Sequence, residues 1–178
     1  PHFLFNSMNM IASLIASDPD KAEQVVVDLS ELFRRVLVEA HTLVPLREEL
    51  SLCRSYLAIE KLRLDTRLQV EWEVGDYGQD VKIPSLTLQP IVENAVYHGI
   101  QLLPEGGKIK ITIKRSNNRL VVTVGNPRSQ MMHHNKGSKI AVDNVQRRLV
   151  AHFGPTAVVR AERMDNHYIT HINSPIGE

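Results

Sequence analysis

Charge of one sign, cysteine and long apolar runs are what this sequence has least of. Its 178 residues carry 21 Lys and Arg against 20 Asp and Glu, a formal net charge of +1. That balance implies neither a polyanion-binding surface nor an acidic tail, so no direct nucleic-acid binding is expected. The single cysteine, Cys53, excludes an intramolecular disulfide framework and a zinc site built on several thiolates, and it fits a reducing compartment. The longest uncharged stretch, residues 1–17, contains His2, Asn6, Ser7, Asn9 and Ser13. It is too polar for a membrane span of about 20 apolar residues, and no basic segment precedes it as in a signal peptide. Internal repeats and low-complexity tracts are also missing. The chain opens without methionine inside a helical pattern, and so reads as a fragment of something longer.

What is present is ordinary globular material, with 43% apolar and 23% charged residues. A chain of this length makes one domain or two small ones, and buries roughly two thirds of its surface on folding. Leu4, Met8, Ile11 and Ile15 recur at helical spacing until Asp18-Pro19-Asp20 interrupts, with Asp18 a cap. A second helix carries the broad stripe Ala22, Val25, Val26, Leu29, Leu32, Phe33, Val36 and Leu37, suited to a bundle. A third begins with Glu48 and Glu49, whose charge suits the helix dipole, and carries Leu46, Leu50, Cys53 and Leu57. Beyond Asp65 the period falls to two. Leu68, Val70, Trp72 and Val74 form a strand ended by Gly75-Asp76-Tyr77-Gly78. Ile109, Ile111 and Ile113 pair through Asn117-Asn118 with Val122 and Val124. Helices are predicted over about 86–98 and 140–152, and a last hairpin over 158–172 turns at Asp165-Asn166. The fold class is α+β: a helical segment, residues 1–66, followed over 67–178 by antiparallel strands with helices on one face.

The segment from Leu88 to Gly99 places polar groups inside an apolar helix. Asn94 and His98 share a face, with Glu93 about 100° away. From spacing alone these are either solvated residues or a magnesium–nucleotide site, in which an amide oxygen ligates the metal beside phosphates and waters. Asn126-Pro127, at the end of a strand, is equally a turn or a ligand. His133 and His134 in the loop 128–136 lack a Cys or carboxylate neighbour for a metal site, and that loop reads as solvated and flexible.

Resemblance decides between these readings. Pro84-Ser85-Leu86-Thr87-Leu88-Gln89-Pro90-Ile91-Val92-Glu93-Asn94-Ala95, followed by His98-Gly99, resembles the N box of the autolysin-sensor (LytS-like) histidine kinases. Pro1-His2-Phe3-Leu4-Phe5-Asn6-Ser7-Met8-Asn9 is similar to the phospho-acceptor motif of that family. Between them Pro45-Leu46-Arg47-Glu48-Glu49-Leu50, Tyr56-Leu57-Ala58-Ile59-Glu60, Arg63 and Arg67-Leu68 follow its linking pattern. The match is collinear over nearly the whole chain.

The resemblance implies a truncated helical dimerisation and phospho-acceptor region, 1–66, and over 67–178 the ATP-binding fold shared with gyrase, Hsp90 and MutL (the GHKL or Bergerat fold, a sandwich with a mixed or antiparallel sheet). It implies a two-component kinase core that autophosphorylates His2 from Mg-ATP and passes the phosphoryl group to a response-regulator aspartate. His2 would be the nucleophile, and Glu93 would orient a magnesium-bound water or act as acid and base. Asn94 would ligate magnesium. Asn126 would accept from the adenine amino group, and His98, Gly137, Lys139 and Asn144 would complete the ATP site, with Arg128 or Lys136 in reach of phosphate from a lid. The sequence departs from the family at several of these places. Pro90 stands where related folds place an acid or amide, and Tyr97 where Lys or Arg is common. Asn126 stands in the position of an Asp, and Lys139 and Ala141 replace a glycine pair. This degeneracy is similar to the alginate-regulator sensor subgroup and raises the alternative of a docking module with weak ATP turnover. The resemblance further implies a homodimer, and a cytoplasmic portion of a bacterial inner-membrane protein.

Overall fold

In the computed structural model, which describes residues 2–36, 42–128 and 136–176, helices α1 (His2–Ser17) and α2 (Pro19–Val36) are joined by Asp18. Asp18 caps α2 as its sequence position predicts, its Oδ1 accepting from the Lys21 N–H at 3.2 Å. Val25, Leu29 and Leu32 of α2 and Ile11 of α1 are buried, and the two helices pack on each other and on α3 (Leu46–Leu64). The stripe predicted on α1 divides. Ile11 goes inward with partly buried Phe3, Met10 and Leu14, whereas Leu4, Met8 and Ile15 stay exposed. This helix is apolar on two faces, so spacing alone did not say which one meets the neighbours.

Five strands form one sheet: β2 (Leu68–Val74), β4 (Gly107–Ser116), β5 (Arg119–Pro127), β6 (Val158–Arg163) and β7 (His167–Pro175), in the order β2-β4-β5-β7-β6. The two predicted hairpins are present, β4 with β5 and β6 with β7. β2, however, pairs with β4 in parallel, Leu68 opposite Gly107 and Val74 opposite Ile113. Alternation marks which side of a strand is buried but not its direction; the crossover sets that. One face of the sheet buries Ile109, Ile111, Ile113, Leu120, Val122, Val124 and Ile172. The other is polar, with Lys108 on Glu71 at 2.8 Å and Lys110 on Glu73 at 2.6 Å.

Against the apolar face lie α4 (Gln89–Asn94), continued by a π-helical segment Ala95–Ile100, and α5 (Lys136–Phe153). Val145 and Leu149 of α5, and Ile91, Val92, Ala95, Val96 and Ile100 of the α4 region, are buried in one cluster with the sheet. A short antiparallel pair, β1 (Leu43–Pro45) with β3 (Lys82–Pro84), was not anticipated, because three residues carry no readable period. This pair crosses the boundary drawn at residue 66. So do the Leu46 N–H to the Val81 carbonyl at 2.8 Å and the Ser85 N–H to the Thr42 carbonyl at 2.9 Å.

Candidate functional site

The helix at Asn94 is held at its start by a carboxylate from α3. Glu49 accepts from the N–H groups of Leu86, at 2.7 Å, Thr87, at 3.0 Å, and Leu88, at 2.9 Å. Amides at a helix start have no partner in their own helix, and here a buried side chain supplies one. Arg148 of α5 closes the other side by donating to the carbonyls of Ser85 and Leu86. Leu86 sits at φ 56°, which explains why the helix starts at Gln89 rather than near the predicted residue 86. Desolvation by burial pushes the Glu49 carboxyl above its usual range, and the three amides and Arg148 draw it back.

After Asn94 the helix widens into the π segment and seats on the end of β5. A Cβ at Gly99 would overlap both the Asn126 amide and the Pro127 carbonyl oxygen, so only glycine fits there. Asn126 is 3% exposed, and its Nδ2 donates to the Pro127 carbonyl at 2.7 Å. Asn126 is also the register partner of Tyr168 on β7, and Tyr168 lines a pocket of about 400 Å³ with Lys139, Val142, Ala161 and Arg163. Glu93 and Asn94 line a separate pocket of about 180 Å³ with Phe3, Tyr56, Glu60 and Tyr97.

Glu93 is half-buried and accepts from Gln89 Nε2 at 2.8 Å. Burial raises its carboxyl above the usual range, with the Gln89 bond opposing that shift. His98 packs edge-on to Tyr97 at 4.7 Å between ring centroids, and burial lowers its pKa, which favours the neutral imidazole. Gly137 lies in the first turn of α5, Lys139 is exposed at the second pocket, and Asn144 is exposed further along that helix. His2 is the first residue of α1. The Arg128 guanidinium donates to the Met164 carbonyl at 3.2 Å, which ties it to the β6–β7 turn. The lid reading of Met131, Met132, His133 and His134 lies outside the described residues.

The donor set at Asn94 suits a hard cation. An amide oxygen and a carboxylate line one pocket, and among the described residues the nearby Gln89 Oε1 is buried without a hydrogen-bond partner. Among them no group of three or more His, Cys, Asp or Glu side chains forms a metal site by itself.

Several residues that build this site carry no site role in the sequence, where Glu49 reads as a helix-dipole charge and Glu60 as part of the linking pattern. Both fall on the buried face of α3 with Leu46, Leu50, Cys53, Tyr56 and Leu57. A charge on an apolar stripe signals a buried partner, and that was the available clue. Glu60 pairs with Arg63, which also donates to Gln101 Oε1 at 3.3 Å, and Arg67 donates to the carbonyls of Gln101, at 3.2 Å, and Leu103, at 2.8 Å. The linking motif is thus largely a clamp on the far end of the Asn94 helix. Arg148 carried no local signal, since its partners are carbonyls more than sixty positions away.

The family model described as "Histidine kinase" matches residues 1–68. The sensor protein LytS of Oceanobacillus iheyensis is 34% identical over 180 aligned positions, covering 93% of this chain and 31% of that relative. Among solved structures, the Acinetobacter baumannii histidine kinase AdeS superposes with a TM-score of 0.55 at 14% identity, covering 100% of this chain and 99% of that one. The histidine kinase ThkA in complex with the response regulator TrrA gives a TM-score of 0.55 at 17% identity, covering 99% of this chain and 59% of that one. At these identities the structures show a shared fold.

Proposed function

The chain belongs to the LytS-like sensor histidine kinases, and we propose that it is the kinase core of such a sensor, phosphorylating His2 from Mg-ATP and passing the phosphoryl group to a response-regulator aspartate. It spans 31% of the length of the LytS relative, so the activity is that of a longer protein of which this is the catalytic part. The observation that carries the proposal is the seating of the Asn94 helix on Asn126. Gly99 lets the two approach with no side chain between them, which sets the Asn94 helix and the Asn126 end of β5 side by side in one body.

Asn126 would accept from the adenine amino group through its amide oxygen, a neutral acceptor weaker by about half than a carboxylate. Lys139 and the amides opening α5 at Gly137 would meet phosphate, with Asn144 and His98 as further contacts to the nucleotide. Asn94, with Glu93 beside it, would hold magnesium, which when bound neutralises charge on the transferring phosphates. One imidazole nitrogen of His2 bonds to the γ-phosphorus as the bond to the β–γ bridging oxygen breaks. ADP leaves, and the imidazole proton passes to a base. Glu93, which lines the pocket beside Asn94, suits that role.

The complex of ThkA with TrrA supports a response regulator as the partner. The exposed apolar face of Leu4, Phe5, Met8 and Ile15 supports a second copy of the chain as another. Kinship with LytS sensors supports a cytoplasmic position beside the inner membrane; among the described residues no helix is long and apolar enough to cross a membrane. The boundary of the ATP-binding part we place between Val36 and Thr42 rather than at 66, because β1 and α3 are bonded into the body that holds Asn94.

Incubation of the full-length protein with γ-labelled ATP tests the reading. The expected result is an acid-labile label that His2→Ala abolishes. No label on the wild type would leave the docking-only alternative in its place.

A further inference from the structure

We propose that Phe3 docks the acceptor helix onto the nucleotide-binding helix of its own chain, so that the phosphoryl group moves to His2 within one chain rather than between two. The inference rests on the kinase reading above and adds the geometry of the transfer. The Phe3 ring lies against Tyr56 of α3 at 4.9 Å between centroids, tilted by 55°. Tyr56 is 3% exposed, so its ring is a fixed wall rather than a surface side chain. Phe3 and Tyr56 then complete a single pocket with Glu60, Glu93, Asn94 and Tyr97. Its volume of about 180 Å³ is below the roughly 300–1,000 Å³ typical of sites for whole small ligands. It fits the end of a triphosphate and an attacking side chain, not a nucleotide. His2 precedes Phe3 in α1, and adjacent Cα atoms are about 3.8 Å apart, so docking of Phe3 holds the His2 backbone one residue from the pocket that Asn94 lines.

Packing of the following turns holds the helix in this place, while buried Ser7, 1% exposed, is satisfied within α1 by donating from Oγ to the Phe3 carbonyl at 2.9 Å. Ile11 belongs to the same buried cluster as Val25, Leu29 and Leu32 of α2 and the core of α3, and the link between α1 and α2 is Asp18 alone. A helix from another copy could take this place only by exchanging that core. Dimerisation and docking within the chain are compatible, because Phe5 and Met8 face outward at 68% and 52% exposure while Phe3 faces in.

The test co-expresses two full-length chains with different tags, one carrying His2→Ala and the other Asn94→Ala, and purifies the mixed dimer. Each chain lacks what the other retains. The expected result is no His2-linked label above that of either variant alone, whereas a mixed dimer of wild type with His2→Ala labels its wild-type chain. Label on the Asn94→Ala chain overturns the proposal, and absence of label on the wild type overturns the kinase reading together with it. Phe3→Ala supplies a second readout. Its labelling rate at saturating ATP should fall by about tenfold to a hundredfold, the cost of a misplaced reactant. Its KM for ATP should move by less than about twofold, the signature of lost positioning rather than lost binding. Tyr56→Ala should behave likewise, with Tyr56→Phe recovering most of the rate because it keeps the ring. An unchanged rate in Phe3→Ala, or a raised KM at unchanged rate, overturns the docking role.

Discussion

Glu49 illustrates how single residues hold this site. It is 3% exposed on the apolar face of α3, and burial alone would favour its neutral form. Three amide donors and Arg148 make the carboxylate tenable, and in return it orients the start of the Asn94 helix. Glu49→Ala would strand those amides away from water, at a cost of about 3 kcal/mol. Thermal unfolding should show that loss as a fall in Tm well outside error, and an unchanged Tm would show that water replaces the carboxylate without penalty. At this scale Asn94 and Asn126 stood out as polar residues in apolar surroundings, and only the family resemblance gave them their expected roles. Glu49 was legible in principle by the same rule. Phe3 was not: an aromatic in an apolar helix fits any core, and its partner Tyr56 lies 53 positions away on α3.

Among the elements, β4, β5, β6 and β7 followed from alternation and turn residues, since the covered face of the sheet demands a strict period. The short strands β1 and β3 did not, and neither did the widening of the Asn94 helix at Ala95–Ile100, which packing against β5 accompanies rather than any local propensity. Helix α1 shows the clearest ambiguity. Phe3 and Ile11 turn inward while Phe5, Met8 and Ile15 remain exposed, so one helix serves two surfaces. If that outer face meets a second copy, Met8→Glu with Ile15→Glu should shift sedimentation of the full-length protein toward the monomer. The same pair should leave the fold intact by circular dichroism. A dimer that survives both charges would place the interface elsewhere.

For the whole molecule, the sheet presents one polar and one apolar face, and every helix that carries a candidate residue packs on the apolar side or on its neighbours. Gly106, at φ 71°, lies so close to the Arg67 backbone that a Cβ would overlap it, where the crossover from β2 returns to the start of β4. The near-zero net charge is uninformative by itself and compatible with the proposed nucleotide and protein partners. The central claim is that Asn94 and Asn126 hold the two ends of one magnesium nucleotide. Calorimetric titration with ATP, with and without magnesium, tests it most directly. The account predicts binding strengthened by magnesium, loss of that strengthening in Asn94→Ala, and about tenfold weaker binding in Asn126→Ala with or without the metal, the worth of one hydrogen bond. Absence of binding, or magnesium-strengthened binding that survives Asn94→Ala, would contradict it.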